Sequence, residues 1–215
     1  MHKKLSEMPK EWPLPRKGKK YIAVASHHPN KGFPLVFALR DFLKIAKTYR
    51  EARKICLEGN VMVNGKVRKD VMFPLLLRDF LELAKIDKKY VLEIKNKKLN
   101  LLEVKDAKTK IVKVMNKRLL KNKTIQANLE DGTNILLKEK FSNGDSLLIE
   151  LKTGKVLKVI PLKKGSNVEV ISGKHLGQKG KIVELVKEGK IDVYEIKLNG
   201  EKNVFLKRNT LLAIE

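Results

Sequence analysis

The amino-acid sequence predicts an α+β, multidomain protein, and three observations carry that prediction. Apolar residues recur at three and four positions from Leu35 to Ala46, and again at Ala52, Ile55 and Cys56, which is helical spacing. An Asn64-Gly65 pair stands between Val61-Met62-Val63 and Lys66-Val67, the strongest short hairpin signal a sequence offers. Beyond about Asp87 the apolar period falls to two, and Asp131-Gly132, Asn143-Gly144 and Thr153-Gly154 punctuate short strand-like runs. With 215 residues, 42% of them hydrophobic, the chain can fill two or three small cores.

Residues 1–33 show no period and contain four prolines. Such a segment cannot bury enough apolar surface to fold alone, so it is expected to be an extended basic arm that orders on its partner. Trp12 lies between basic runs, where it either stacks on a base or a neighbouring protein or anchors the arm to the first domain. The prolines and the missing apolar stretch argue against a signal peptide. No apolar run approaches the ~18 residues of a membrane span.

A helical domain follows over 34–86. Leu35, Val36, Leu39, Phe42, Leu43 and Ala46 form one stripe, with Arg40, Lys44 and Lys47 on another. Thr48 with Glu51 makes a T-x-x-E capping box that starts a second helix, and Gly59 stops it. Its inner face is Ala52, Ile55 and Cys56, leaving Arg50, Arg53 and Lys54 outside. The hairpin then brings Lys66, Arg68 and Lys69 alongside. Residues 87–161 read as a central β-rich domain, a small barrel or sandwich, with strands such as 146–151 and 155–160. A basic run, KDAKTKIVKVMNKRLLKNK (105–123), lies at its entrance. A third β-rich, glycine-punctuated domain occupies 162–215.

The chain carries 48 basic and 24 acidic residues, a formal charge of +24. That is far more than solubility requires, so the expected partner is a polyanion, nucleic acid before membrane. The excess is spread as +6, +5, +9 and +4 over residues 1–33, 34–86, 87–160 and 161–215. Forty of the basic residues are Lys and eight Arg, a balance suited to phosphates rather than to bidentate base reading.

Other chemistry finds little support. Cys56 is the one cysteine, which excludes a disulfide framework and a thiolate zinc site and suits a reducing cytosol. His27-His28 with His2 matches no metal-ligand spacing. No Ser/His/Asp grouping or carboxylate pair falls on one predicted surface, and Asp131 and Asp145 read as turn residues. Neither G-x-x-x-x-G-K-[ST] nor G-x-G-x-x-G occurs, so a nucleotide loop is rejected.

The stretch REARKICLEGNVMVNGKVRKD resembles the S-four type RNA-binding domain, with its R-x-A helix, G-x-V strand and V-N-G-K hairpin. KGSNVEVISGKHLGQKGKIVEL (164–185) resembles a KOW motif, the hairpin of an SH3-like barrel, with Lys174, His175, Lys179 and Lys181 on its loop. The order of parts resembles the small-subunit ribosomal protein S-four-e family of archaea and eukaryotes, in an archaeal-like form. It is carried also by HKKLSEMPKEWPLPRKGKKY, LEDGTNI, GDSLLIEL and ISGKHLGQKGKI. FPLLLRDF at 73–80 and SHHPNKG at 26–32 depart from the family pattern.

That resemblance implies a structural constituent of the small ribosomal subunit that binds and helps fold its rRNA, in the cytoplasm. It implies neighbouring ribosomal proteins as partners, and a monomer within the ribosome. It also implies no enzyme activity, cofactor, membrane or small-molecule substrate. The candidate RNA-binding residues are Lys3, Lys4, Trp12, Arg16, Lys17, Lys19 and Lys20 in the arm. Arg40, Lys44, Arg50, Arg53, Lys54, Asn64, Lys66, Arg68 and Lys69 follow in the first domain, Lys113, Lys117 and Arg118 in the basic run, and the four loop residues near the end. Some eight neutralised phosphates would give a log–log salt slope of roughly −6 to −7. An RNA-modification enzyme and a KOW transcription elongation factor are the alternatives. The first would need a catalytic domain, and the second leaves residues 1–70 unexplained.

Overall fold

Caps, prolines and apolar faces decide where the first elements lie in the computed structural model, which describes residues 3–106, 108–120, 124–137, 139–151, 153–188, 191–198 and 203–214. The chain divides into two units, Met1–Lys108 and Thr109–Glu215.

In the first unit β1 (Lys3–Lys4) pairs with β2 (Tyr21–Ile22), and β3 (Phe33–Pro34) leads into α1 (Leu35–Phe37). The predicted helix therefore exists, but it widens into a π turn over Ala38–Phe42. Such a turn puts the apolar stripe out of step with 3.6 residues, and Phe42 and Leu43 are left half-buried. Next come α2 (Tyr49–Leu57), β4 (Val61–Val63), β5 (Lys66–Val67), β6 (Pro74–Leu75), β7 (Phe80–Leu83), β8 (Lys88–Lys95) and β9 (Lys98–Val104). Five of these strands make one sheet in the order β5-β4-β7-β8-β9. The boundary expected between 86 and 87 falls inside it. The turn joining β7 to β8 carries no glycine, so nothing in the sequence marked it as a hairpin.

The segment expected to be an extended arm that orders on its partner is largely irregular, and it is held against the first unit's own core. Leu5, Met8 and Trp12 are buried in the same core as Phe33, Leu35, Leu39, Cys56, Leu75 and Leu81. Trp12 is 3% exposed and packs edge-on against Phe33 at 5.2 Å and Phe37 at 5.7 Å. Leu99 N–H donates to Glu11 O at 2.8 Å, tying the segment to edge strand β9. Three buried apolar anchors within eight residues replace the periodicity that the sequence lacks.

The second unit continues with β10 (Thr109–Leu119), β11 (Ile125–Leu129), β12 (Asn134–Leu137), β13 (Ser146–Glu150) and β14 (Val156–Ile160), a sheet in the order β12-β11-β10-β13-β14. Strand β10 serves both halves: residues 109–113 pair with β13 and 114–119 with β11, with a register shift between Val114 and Asn116. Then come β15 (Asn167–Val170), β16 (Lys179–Glu188), β17 (Ile191–Leu198), β18 (Asn203–Lys207) and β19 (Leu211–Ile214), in the order β18-β17-β16-β15-β19. Each sheet has its own apolar core, one around Val114, Ala127 and Leu147 and one around Val168, Ile196 and Leu211.

Both turn aspartates act as read. Asp131 Oδ1 accepts from Thr133 N–H at 3.0 Å, and Asp145 Oδ2 accepts from Ser142 N–H at 2.8 Å. Asp131 also pairs with the buried Lys110 at 3.1 Å. Burial pushes its carboxyl up, but Lys110 and the Thr133 hydrogen bonds prevail and hold it below the usual aspartate value.

Candidate nucleic-acid interface

Thr48 begins α2 by accepting Glu51 N–H on its hydroxyl at 3.3 Å, while Glu51 Oε2 accepts Lys47 N–H at 2.7 Å. The hydrogen bond from Lys47 N–H keeps the Glu51 carboxyl below its ordinary range. With Ala52 and Cys56 buried, Arg50, Arg53 and Lys54 are left exposed as expected.

The hairpin after α2 turns on Asn64 and Gly65, with φ of +52° and +74°, the left-handed pair of a type I′ turn. Lys66 and Lys69 are exposed. Asn64 locks the turn: its Nδ2 donates to buried Asp79 at 2.9 Å, and its Oδ1 accepts Phe80 N–H at 3.0 Å. Arg68 is half-buried, its guanidinium 4.2 Å from the Phe73 ring centre. Its Nε is buried without a hydrogen-bond partner.

The remaining candidates separate by what already holds them. Lys4, Lys17, Lys19, Lys20, Lys44 and Arg118 are exposed. Lys3 Nζ donates to Pro29 O at 3.2 Å, Arg16 Nη2 to Met8 O at 3.0 Å, and Lys117 Nζ to Phe141 O at 3.4 Å. Arg40 is paired with Asp41 at 2.8 Å. Two candidates are internal. Trp12 is in the core, its large apolar ring worth more there than on a solvated base. Lys113 is 2% exposed, and its ammonium donates to Arg208 O and Leu211 O, each at 2.6 Å. A buried charge survives only with such partners, so Lys113 joins β10 to the residues around β19 and is withdrawn from any RNA surface. His2 lies outside the described residues; His27 rests edge-on against Phe73 at 5.0 Å. Burial, His28 and Arg68 hold His27 below the usual imidazole pKa. Among the described residues no group of three or more potential metal ligands comes together.

In the second unit Lys174 is exposed on the loop after β15, and His175 Nδ1 meets Gln178 Oε1 at 2.8 Å. Lys179 and Lys181 lie on β16 itself. There Lys181 stands directly across from Lys197 of β17, with Asn167 and Asn203 as the next partners in the row, all four exposed. Gly180 sets the approach of these strands, since a Cβ there would come 2.5 Å from Lys197 O. Lys197 was not singled out from the sequence, because its place in the row depends on pairing across a distant turn. Opposed like charges weaken a sheet, and a row of this kind is relieved by a bound polyanion.

Three comparisons bear on this geometry. The model described as Ribosomal family S4e matches residues 86–156, the S4 domain matches 39–81, and the KOW motif matches 164–192. The small ribosomal subunit protein eS4 of Methanocella arvoryzae is 37% identical over 188 residues, covering 86% of this chain and 80% of that protein. Its counterpart from Archaeoglobus fulgidus is 36% identical over 85% of this chain and 79% of that one. The crystal structure of the 30S ribosomal protein S4e from Thermoplasma acidophilum superposes with a TM-score of 0.73 at 24% identity, over 86% of this chain and 95% of that one, which speaks for the fold.

Proposed function

The chain belongs to ribosomal family S4e, and from that premise we propose that it is a structural constituent of the small ribosomal subunit. It binds small-subunit rRNA and helps it fold. The observation that carries this reading is the extent of the likeness: relatives named as small-subunit proteins match over 85–86% of the chain.

The geometry supports a mechanism without covalent chemistry. Rigid elements hold exposed lysines and arginines at fixed spacing: α2 with its hairpin in the first unit, and the Lys181–Lys197 row in the second. Structured RNA presents phosphates at fixed spacing too, so binding combines counterion release with a match of shape. Lys4, Lys17, Lys19, Lys20, Lys44, Arg50, Arg53, Lys54, Lys66, Lys69, Arg118, Lys174, Lys179, Lys181 and Lys197 are the residues assigned to phosphates. Neighbouring ribosomal proteins cover other surfaces, and the protein acts as one copy in the cytoplasmic ribosome, with no enzymatic step of its own.

Sedimentation of cell extract through sucrose at low and then high monovalent salt tests this reading. Co-migration with the small subunit through a high-salt wash is the expected result. A protein that runs free, or leaves the subunit at moderate salt, overturns it.

A further inference from the structure

The sheet of the first unit ends in two hairpin tips, and its register puts both at the same end. Val63 of β4 pairs with Leu81 of β7, and Leu81 with Tyr90 of β8. Past Val63 the chain turns at once through Asn64-Gly65. Past Tyr90, β8 runs in that same direction to Lys95 before turning through Asn96-Lys97 and returning as β9. The second tip therefore projects about five residues, ~17 Å, beyond the first, and its centre lies three strand spacings or ~14 Å to the side.

Its composition is unusual for a turn. Asn96 and Lys97 have φ of +54° and +61°, a type I′ pair. Lys97 stands where glycine would avoid the left-handed penalty. Lys95 and Lys98 are direct cross-strand partners, so like charges face each other at the turn, and all four residues are exposed. At the far end of the same two strands the charges match instead, Lys88 meeting Glu103 at 3.1 Å. Among the described residues no ion pair neutralises Lys95, Lys97 or Lys98. The nearest acid along β8, Glu93, stands across from Asn100. The sequence thus keeps three positive charges at a place where both backbone and pairing disfavour them.

We propose that Lys95, Lys97 and Lys98 form a second phosphate-binding prong, gripping the same RNA backbone as the Asn64-Gly65 hairpin with Lys66. This rests on the RNA-binding reading above. A spacing of roughly 20 Å between the tips spans a few nucleotides of backbone, and the protruding prong reaches RNA that the shorter hairpin cannot.

The test compares K95Q/K97Q/K98Q with K85Q/K88Q/K89Q, three lysines at the opposite end of the same sheet, in the full-length protein. Binding to a full-length small-subunit rRNA transcript is measured from low to high salt, with thermal melts confirming that both variants fold. The tip variant is expected to lose about tenfold or more in affinity, and its salt slope to shrink by about 2 to 3. K97G, which relieves the left-handed residue, is expected to melt no lower than the parent and to shrink the slope by about 1. Equal losses in the tip and opposite-end variants mean diffuse attraction and overturn the prong. A tip variant that binds RNA like the parent but falls off reconstituted subunits points to an acidic protein neighbour, and overturns it as well. If the parent itself fails to bind the transcript, the RNA-binding reading falls, and the prong with it.

Discussion

Asn64 and Asp79 are joined side chain to side chain at 2.9 Å, although fifteen residues separate them. Asp79 is 3% exposed, and its other oxygen accepts Leu76 N–H at 2.7 Å. One buried carboxylate thus fixes both the hairpin turn and the 76–79 loop.

Asn64→Ala removes that hydrogen bond and the one to Phe80 N–H, and leaves alanine in a left-handed turn. The expected cost is about 2–3 kcal/mol, read as a lower urea midpoint with unchanged slope. The salt dependence of RNA binding is expected to stay as it was, because no charge is lost. A loss of RNA affinity at fixed salt, in a variant that remains folded, would return Asn64 to the contact surface.

Lys197→Glu is expected to move two quantities in opposite directions. Glutamate opposite Lys181 replaces a repulsive cross-strand pair with an attractive one, stabilising the free protein by about 0.5–1 kcal/mol. The same change places a negative charge where a phosphate is expected, so rRNA affinity falls and the salt slope shrinks. A variant neither stabilised nor weakened in binding would show that the row is merely solvated.

Asp131→Asn addresses pH. The aspartate's folded pKa is depressed, so its contribution is present above the unfolded value near 4 and is lost as pH falls through the folded value. At neutral pH the substitution removes the negative charge that Asp131 sets against the buried Lys110, at a cost of about 3 kcal/mol. Denaturation from pH 7 down to pH 2 is expected to show that difference shrinking at the acid end. A difference independent of pH would mean that the charge of Asp131 is immaterial.

Trp12 distinguishes a core anchor from a base-stacking residue. As the one tryptophan, it reports by fluorescence, and saturating rRNA is expected to leave its emission unquenched. Trp12→Ala is expected to destabilise the first unit by about 3–5 kcal/mol. Strong quenching by RNA would reverse the assignment.

Much of the fold was legible because local chemistry determined it. The Thr48–Glu51 cap, the Asn64-Gly65 turn and the alternation after Asp87 each depend on neighbours a few residues apart. What escaped depends on distant partners. Lys113 sits in a basic run and looks like solvent-facing charge until two carbonyls ninety-five and ninety-eight residues away come into view. Trp12 carried two readings, and only its packing on Phe33 and Phe37 separates them. The Asn96-Lys97 turn went unread because no glycine marks it. The basic surface was legible as a quantity of charge, whereas its grouping into rows and tips is a property of strand register.

The Lys113 contacts also bear on the order in which the chain takes shape during its own synthesis. Its ammonium can leave water only when residues 208–211 are free to meet it, so the second unit must wait for its last stretch to clear the exit tunnel. The first unit waits for far less, since its last strand, β9, is complete at Val104. Nascent chains arrested with residue 205 just outside the tunnel are expected to show a protease-resistant first unit beside a protease-sensitive second. Each new molecule would then spend a short interval with one half folded and the other exposed.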